Sequence, residues 1–252
     1  MHHNAMEERN PPAPTCRVFF EELLKSNFFI KEKEEIFLVT PTCARCNRLY
    51  GVGEVKGVEK RGNITKIKVS DHTATLDIYT DKVLGLGKFM AFVGNLRMRV
   101  REGTEKIKGK GVLILVEEAG TVEESVRNNW IISTARRTLE RIELLRSKNS
   151  ECTWKEEALK HYAIDDDKLD FWENMAINTV KEVWKNYSKT TEERVLEVLV
   201  DAGKMGVVRT KLVKELKKKG LPEECVEEVI DELIGEGRFY EPEAGLLKLV
   251  DV

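Results

Sequence analysis

Residues 48–80, RLYGVGEVKGVEKRGNITKIKVSDHTATLDIYT, decide the fold, because apolar and polar residues alternate along them with a period of two. Turn-forming residues interrupt the alternation at 61–63 (Arg-Gly-Asn) and at 70–72 (Ser-Asp-His). The stretch therefore predicts three successive strands, at 48–59, 62–70 and 73–80. Glycines at 51, 53 and 57 indicate that the first strand bends and bulges, as a strand does when it curves around a barrel.

The same period of two continues beyond this stretch and predicts two more strands, at 87–101 and 106–118. Five strands within about 70 residues favour a small closed barrel. Before the barrel, the pattern predicts a short helix at 19–24 and a small strand at 36–39. We therefore predict a flexible tail at 1–14 and a barrel domain at 15–120.

The period becomes helical after the barrel. Thr121-Val-Glu-Glu124 has the spacing of a capping box, and residues 121–187 predict a helical connector. Residues 188–252 predict three helices followed by two short strands around a turn, which is typical of a winged helix. The predicted fold class is thus multidomain α+β: a five-stranded barrel, a helical connector and a C-terminal winged-helix domain.

Composition excludes several classes of protein. The chain has 252 residues, 41% of them hydrophobic, and a net charge of −2. That is enough apolar material for packed cores, and no apolar run reaches the ~18 residues of a membrane span. The polar N-terminus does not resemble a secretory signal, so we expect a cytoplasmic protein.

The five cysteines are irregularly spaced and predict no disulfide framework in a reducing compartment. Cys43-Ala-Arg-Cys46 is a CxxC, but no second pair completes a zinc site. We expect incidental thiols, with metal binding and redox activity as open alternatives. No nucleophile, P-loop or metal-protease motif is present, so we expect no catalytic residues, no cofactor and no enzymatic activity.

The predicted barrel is basic although the whole chain is not. Residues 45–111 contain 15 Lys and Arg against seven Asp and Glu, a local charge of +8 that leaves −10 for the rest. Alternation places cations and aromatic rings on the outward side of the strands, which suits a polyanion. The candidate nucleic-acid-binding residues are Lys66, Lys68, Tyr79, Phe89, Arg97, Arg99, Arg101 and Lys106. The alternative is that the arginines form a solvated edge and Phe89 packs under a loop.

Four stretches resemble replication protein A-like single-stranded DNA-binding proteins of archaea. Tyr50-Gly-Val-Gly-Glu-Val and residues 64–79 resemble the first strands of the OB-fold in that family, with Asp71-His-Thr-Ala74 at the turn where Asp-Gly-Thr-Gly is frequent. Residues 40–48 and 124–142 resemble the lead-in and the following helix. An OB barrel with a C-terminal winged helix is the layout of the family's middle subunit. The resemblance implies single-stranded DNA binding in replication and repair, assembly with other subunits, and no catalysis.

Two candidate partner surfaces follow. The predicted helix at 222–236 has no Lys or Arg, so phosphate would repel it, and we expect it to bind protein rather than read DNA. The central helix either packs on the barrel or joins helices of partner subunits, as the resemblance implies. The candidate partner-binding residues are Trp130, Leu139, Ile142, Glu224, Glu227, Glu228 and Asp231.

The sequence therefore predicts a single-stranded DNA-binding subunit of a replication protein A-like complex, with the winged helix recruiting replication and repair proteins. Two alternatives stay open: a replisome scaffold that does not bind DNA, and an OB-fold protein that binds RNA.

Overall fold

The computed structural model describes residues 14–98, 112–147 and 153–250. The chain forms two compact units, the first ending at Ile177 and the second beginning at Asn178. The first unit opens with helix α1 (Phe20–Leu24) and a three-stranded sheet of β1 (Phe28–Glu32), β2 (Glu35–Val39) and β3 (Arg45–Cys46). The predicted helix and the strand at 36–39 are present, whereas β1 was missed because Phe28-Phe-Ile is too short a run to show alternation.

Five further strands form a closed barrel in the order β4-β5-β6-β8-β7. They are β4 (Arg48–Arg61), β5 (Ile64–Ser70), β6 (Thr75–Thr80), β7 (Phe89–Met98) and β8 (Val112–Val122). All the pairings are antiparallel except β6 with β8, where Ile78 lies opposite Ile114. A five-stranded barrel with this strand order is OB-like.

Alternation along the strands fills the barrel with apolar side chains. The fully buried members include Ile67, Val69, Ile78, Met90, Phe92 and Ile114. Burial of each large side chain stabilises the fold by roughly 1.5–3 kcal/mol. The predicted inward face of the fourth strand is confirmed at Met90 and Phe92.

Two glycines of β4 allow the barrel to close tightly. A Cβ at Gly51 would lie 2.4 Å from Cζ of Phe92, and a Cβ at Gly53 would lie 2.4 Å from the carbonyl oxygen of Ser70. The β4–β5 register shifts between Val55 and Gly57, which is the predicted bulge.

After the barrel come α2 (Glu124–Arg146), α3 (Thr153–Tyr162) and α4 (Asp166–Ala202), and the part of α4 from Asn178 onward belongs to the second unit. The predicted capping box at Thr121 is wrong, because β8 continues through Val122. The Thr121 hydroxyl instead donates to the carbonyl of Gly85 at 2.9 Å and accepts from the amide of Gly87 at 3.0 Å. The position that precedes α2 is Glu123, and its side chain makes no capping bond.

A disulfide joins Cys16 to Cys46, with their Cα atoms 5.2 Å apart. This contradicts the prediction that the chain has no disulfide framework, and the prediction that Cys46 of the CxxC is an incidental thiol. Spacing alone could not reveal the pair, because Cys16 is brought to β3 by backbone pairing with Leu49 of β4. Cys43, the other half of the CxxC, is a buried free thiol.

The second unit begins with the part of α4 from Asn178 to Ala202. It continues with a 3-10 turn (Gly203–Met205), β9 (Val207–Val208), α5 (Arg209–Lys218), α6 (Glu223–Gly235), β10 (Phe239–Glu243) and β11 (Leu246–Leu249). Its three strands form a sheet in the order β10-β11-β9. The predicted apolar stripe of α6 is buried at Val226, Val229, Ile230 and Leu233. The predicted domain boundary between residues 187 and 188 lies inside α4.

Replacement of Gly53 by alanine should destabilise the protein by about 1–3 kcal/mol, because the new methyl group overlaps the backbone of Ser70. The matched control is Gly57→Ala in the same strand, where the added Cβ would lie 3.7 Å from Cδ of Lys68, an ordinary contact. Urea unfolding of both variants measures the difference. Equal stabilities would contradict the tight closure at Gly53.

Candidate nucleic-acid interface

The outward faces of β5 and β6 bring three of the predicted residues together. Lys66 lies directly opposite Tyr79, and Lys68 lies opposite Asp77. Directly paired positions on antiparallel strands project to the same side of the sheet, with Cβ atoms about 4.5–5.5 Å apart. Since Ile67 and Ile78 fill the inward positions, the two lysines and the tyrosine share one exposed surface. We call Lys66, Lys68, Asp77 and Tyr79 the β5–β6 face.

Asp77 forms an ion pair with each lysine of this face. Its Oδ2 lies 2.9 Å from Nζ of Lys66, and its Oδ1 lies 3.3 Å from Nζ of Lys68. Partial burial alone would raise the pKa of Asp77, but the hydrogen bonds from Lys66 and Lys68 outweigh it, so the pKa lies below its ordinary value. The hydrogen bond that Lys66 donates to Asp77 is also the main reason that the pKa of Lys66 is raised. The carboxylate of Asp77 therefore offsets part of the positive charge that the two lysines give to the face.

The neighbouring strands extend this surface. Leu115 of β8 pairs with Tyr79, is 40% exposed, and offers an apolar contact beside the ring. Arg97 is exposed on β7 opposite Leu113, so β8 separates it from the β5–β6 face. The predictions did not include Asp77 and Leu115, although alternation with Leu76, Ile78 and Ile114 would have placed both outward.

Arg99, Arg101 and Lys106 lie outside the described residues. Their predicted contribution to the interface stays a prediction.

The prediction that Phe89 offers an exposed stacking ring is wrong. Phe89 is 6% exposed, with the guanidinium of Arg127 from α2 5.0 Å above its ring and Nζ of Lys88 also at 5.0 Å. Alternation correctly places its side chain outside the barrel, but α2 covers that part of the outer surface. The reason is geometric: a period of two shows to which side of the sheet a residue points, whereas it does not show what later elements pack against it.

The predicted partner-binding residues of α2 pack against other parts of this chain instead of being available to a partner. Trp130 is 2% exposed, packs against Phe19 and Phe20, and donates its indole N–H to the carbonyl of Tyr50 at 3.2 Å. Ile142 is 1% exposed in a cluster with Leu169 and Trp172, and Leu139 is half-buried. The alternative that this stripe packs on the barrel is therefore the correct one for Trp130, and Ile142 is likewise a core residue.

The predicted acidic residues of α6 divide into two groups. Glu227 and Asp231 accept hydrogen bonds from Arg209 at 2.7 and 2.6 Å, and Glu228 accepts one from the indole of Trp184 at 3.0 Å. Glu224 is exposed and forms no such bond with the residues that the structure describes. Three of the four therefore have partners inside the second unit.

The turn between β5 and β6 is fixed by a buried carboxylate. Oδ2 of Asp71 accepts the amide of Phe20 at the start of α1 at 2.8 Å. Its Oδ1 accepts the amides of Thr73 and Ala74 and the hydroxyl of Thr73 at 2.7–3.1 Å. Burial raises the pKa of Asp71 to about 6, against the opposing effect of these donors. This turn holds α1 on the barrel and orders the ends of both strands of the β5–β6 face.

Within the described ranges, no group of three or more His, Cys, Asp and Glu side chains could hold a metal ion. Burial raises the pKa of Cys43 to about 11, so this thiol stays protonated at neutral pH. Oδ1 of Asp165 caps α4 by accepting the amide of Lys168 at 2.9 Å. No described helix is both long and apolar enough to cross a bilayer.

Comparisons with known proteins gave only weak likenesses. No family model and no curated protein matches the chain. A chain from a replication protein A heterotrimer bound to single-stranded DNA matches 51% of this chain and 98% of its own length, at 12% identity and a TM-score of 0.39. A chain of the S. pombe Stn1–Ten1 complex matches 52% and 96%, at 9% identity and a TM-score of 0.40. Aspartyl-tRNA synthetase from Entamoeba histolytica matches 60% and 34%, at 13% identity and a TM-score of 0.22.

Asp71→Asn should reveal the buried carboxylate through its pH dependence. A carboxyl group whose pKa is higher in the folded state than in the unfolded state stabilises the fold at low pH, and this stability is lost as the pH rises through the folded pKa. The shift from 3.8 to about 6 corresponds to about 3 kcal/mol. The stability advantage of the wild type over Asp71→Asn should therefore shrink between pH 4 and pH 7, measured by urea unfolding. If the advantage is constant or grows with pH, the hydrogen bonds from Phe20, Thr73 and Ala74 outweigh the effect of burial on the carboxylate.

Proposed function

We propose that this chain is a non-enzymatic, single-stranded DNA-binding subunit of a replication protein A-like complex that serves DNA replication and repair. The observation that carries the proposal is the β5–β6 face, where Lys66 and Lys68 stand beside Tyr79 on the outside of an OB-like barrel. The replication protein A chain described above was solved with single-stranded DNA. Binding of single-stranded DNA is a property of that heterotrimer. For this chain, the proposal rests on the side chains of the β5–β6 face.

The face combines the two interactions that binding without sequence preference requires. Lysine ammonium groups neutralise phosphates and release counterions, which makes affinity depend on salt. An exposed ring can stack on any base, with a contribution of about 1–3 kcal/mol per base. Tyr79 is half-buried between Lys66 and the exposed Leu115, so one side of a base could contact ring and leucine while its phosphate reaches a lysine.

Asp77 gives the face a built-in competitor for phosphate. In the free protein, its carboxylate engages the ammonium groups of both lysines. A phosphate that binds Lys66 or Lys68 must share or displace these pairs, and ion pairs at a solvent-accessible surface are weak. The exchange therefore costs little, and it limits the affinity of the face rather than abolishing binding.

The second unit supports a separate role. The order α4, β9, α5, α6, β10 and β11, with all three strands in one sheet, is the basis on which we propose a winged helix. Its α6 exposes Glu223, Glu224 and Glu232 and contains no basic residue. Phosphates would be repelled from this helix, so we propose that the unit docks replication or repair proteins.

The proposal is tested first on the two lysines. Lys66→Ala combined with Lys68→Ala should weaken binding to labelled oligothymidine about tenfold or more, because two phosphate contacts are lost. The slope of log affinity against log salt should fall by about 1.4, at about 0.7 per phosphate on a single strand. Fluorescence anisotropy over a salt series measures both quantities.

The matched control is Lys214→Ala combined with Lys218→Ala, which removes the same charge from α5 of the second unit. It should leave affinity and slope unchanged. If both double variants weaken binding equally, only the net charge matters and the β5–β6 face has no specific role. An RNA oligonucleotide of equal length, bound more tightly than DNA, would favour the RNA-binding alternative.

Asp77→Asn should strengthen binding several-fold and steepen the salt dependence, because both lysines lose their internal partner. Asp81→Asn is the control, since it makes the same change of charge at an exposed position just beyond β6. Anisotropy titrations of the two variants separate a local effect from a general one. Equal gains, or no gain from Asp77→Asn, would contradict the view that Asp77 competes with phosphate.

A further inference from the structure

A cavity opens at the end of the barrel where β4 turns into β5. Near this end, paired residues project to the inner side of the sheet: Val58 lies opposite Ile67, and Thr65 lies opposite Thr80. Ile67 is fully buried and forms the floor of the cavity, whereas Val58 at its rim is 49% exposed. The cavity has a volume of about 420 Å³. We call it the barrel mouth, and its lining includes Val58, Lys60, Asn63, Thr65, Thr80 and Val83.

The barrel is closed at its other end, whereas the barrel mouth is open. At the far end of β5, Oδ2 of Asp71 accepts the amide of Phe20 at 2.8 Å and so holds α1 against the strands. No described helix contributes a side chain to the lining of the barrel mouth. A ligand can therefore approach the inner side of the strands at this end.

A short apolar loop forms one side of the barrel mouth. All three apolar residues of the loop 83–86 (Val-Leu-Gly-Leu) line the cavity, and Val83 is 98% exposed. The loop is held to β8 by Thr121, whose hydroxyl donates to the carbonyl of Gly85 at 2.9 Å and accepts the amide of Gly87 at 3.0 Å. Exposed apolar side chains grouped around a cavity are typical of a binding site.

Polar side chains stand among the apolar ones. The amide group of Asn63 and the hydroxyl of Thr65 line the cavity. The hydroxyl of Thr80 accepts the amide of Lys82 at 3.1 Å and can donate its own hydrogen to a ligand. Small-molecule sites of roughly 300–1,000 Å³ combine a mostly apolar lining with a few polar groups that fix the orientation of the ligand. A nucleobase suits such a lining, because its flat faces pack on side chains and its edge carries donors and acceptors.

The charged residues of the barrel mouth favour an anionic strand. Lys60 and Lys82 line it, and Asp81 is the one acid of its described lining. The ammonium group of Lys82 bonds to the backbone carbonyl of Glu117, which is neutral and leaves the charge of the lysine in place. The net positive charge suits the phosphates on either side of a bound base.

The barrel mouth adjoins the β5–β6 face. Thr65 directly precedes Lys66 on β5, and Thr80 directly follows Tyr79 on β6. A strand whose phosphate reaches Lys66 and whose base stacks on Tyr79 therefore has the barrel mouth at the end of its path.

We propose that the barrel mouth takes up one base of a nucleic-acid strand that lies on the β5–β6 face. This inference rests on the proposed function, because it concerns the same ligand. The base packs its faces on Val58 and Val83 and turns its edge towards Thr65 and Thr80, while Lys60 meets an adjacent phosphate. An apolar side chain of a protein is the other class of occupant, and the continuity with the β5–β6 face favours the base.

The experiment fills the barrel mouth and compares a strand that has bases with one that lacks them. Val58→Trp places an indole at the exposed rim, and Val126→Trp is the matched control, because Val126 is 38% exposed on α2 and does not line the cavity. In anisotropy titrations with an oligothymidine of about 16 nucleotides, Val58→Trp should bind about five- to tenfold more weakly than the wild type, with an unchanged salt slope. Both tryptophan variants should bind an abasic strand of the same length as the wild type does, because that strand keeps the phosphates and has no base to insert.

Lys60→Ala tests the phosphate beside the bound base. It should weaken the binding of both strands about two- to fivefold and lower the salt slope by about 0.7. Lys31→Ala is the matched control, since Lys31 is an exposed lysine of β1 outside the cavity, and it should bind as the wild type does. Lys60 is exposed as well, so its variant should fold normally even if Val58→Trp does not.

Wild-type binding of oligothymidine by Val58→Trp would overturn the uptake of a base. So would a loss that Val126→Trp shares, or one that is equally large on the abasic strand, because the effect would then not depend on the barrel mouth or on a base. Unchanged affinity and slope in Lys60→Ala would overturn the proposed path of the strand. A wild-type dimer that Val58→Trp dissociates, measured by sedimentation, would assign the barrel mouth to a second copy of the chain and overturn the proposal.

The proposed function is tested separately in the same titrations. If the wild type does not bind oligothymidine, the proposed function itself has failed. If the Lys66 and Lys68 double variant binds weakly while Val58→Trp and Lys60→Ala bind like the wild type, the proposed function stands and the base site in the barrel mouth is overturned.

Discussion

The double pairing of β4 is the constraint on which the functional surface depends. The first half of this 14-residue strand pairs with β7 and the second half with β5, so a single strand closes the barrel. Closure needs Gly51 and Gly53, where any side chain would meet Phe92 or the backbone of Ser70. Once the barrel is closed, the register decides which residues project outward. Lys66, Lys68 and Tyr79 lie side by side because of the register between β5 and β6.

Charge on the β5–β6 face is partly balanced within the face itself. Asp77 forms ion pairs with Lys66 and Lys68, so part of the positive charge of this surface is neutralised in the free protein. A phosphate that binds there exchanges one anion for another.

The sequence predicted most of the barrel, because alternation over strands of six residues or more is a strong local signal. It also predicted the inward positions of Met90 and Phe92. It failed where distant segments meet: Phe89 is covered by α2, Trp130 packs on Phe19 and Phe20, and Cys16 reaches Cys46. Local patterns show which way a side chain points, but not what covers it. Asp77 and Leu115 could have been placed outward by the same alternation, yet their neighbours across the sheet required the register.

Backbone chemical-shift perturbation on addition of oligothymidine tests the central claim most directly. The account predicts that amide signals of β5 and β6, with Lys66, Lys68 and Tyr79 at their centre, shift as the oligonucleotide is titrated. Signals of α6 in the second unit should not move. Shifts confined to the second unit, or no shifts along β5 and β6 at concentrations where binding is complete, would contradict the account.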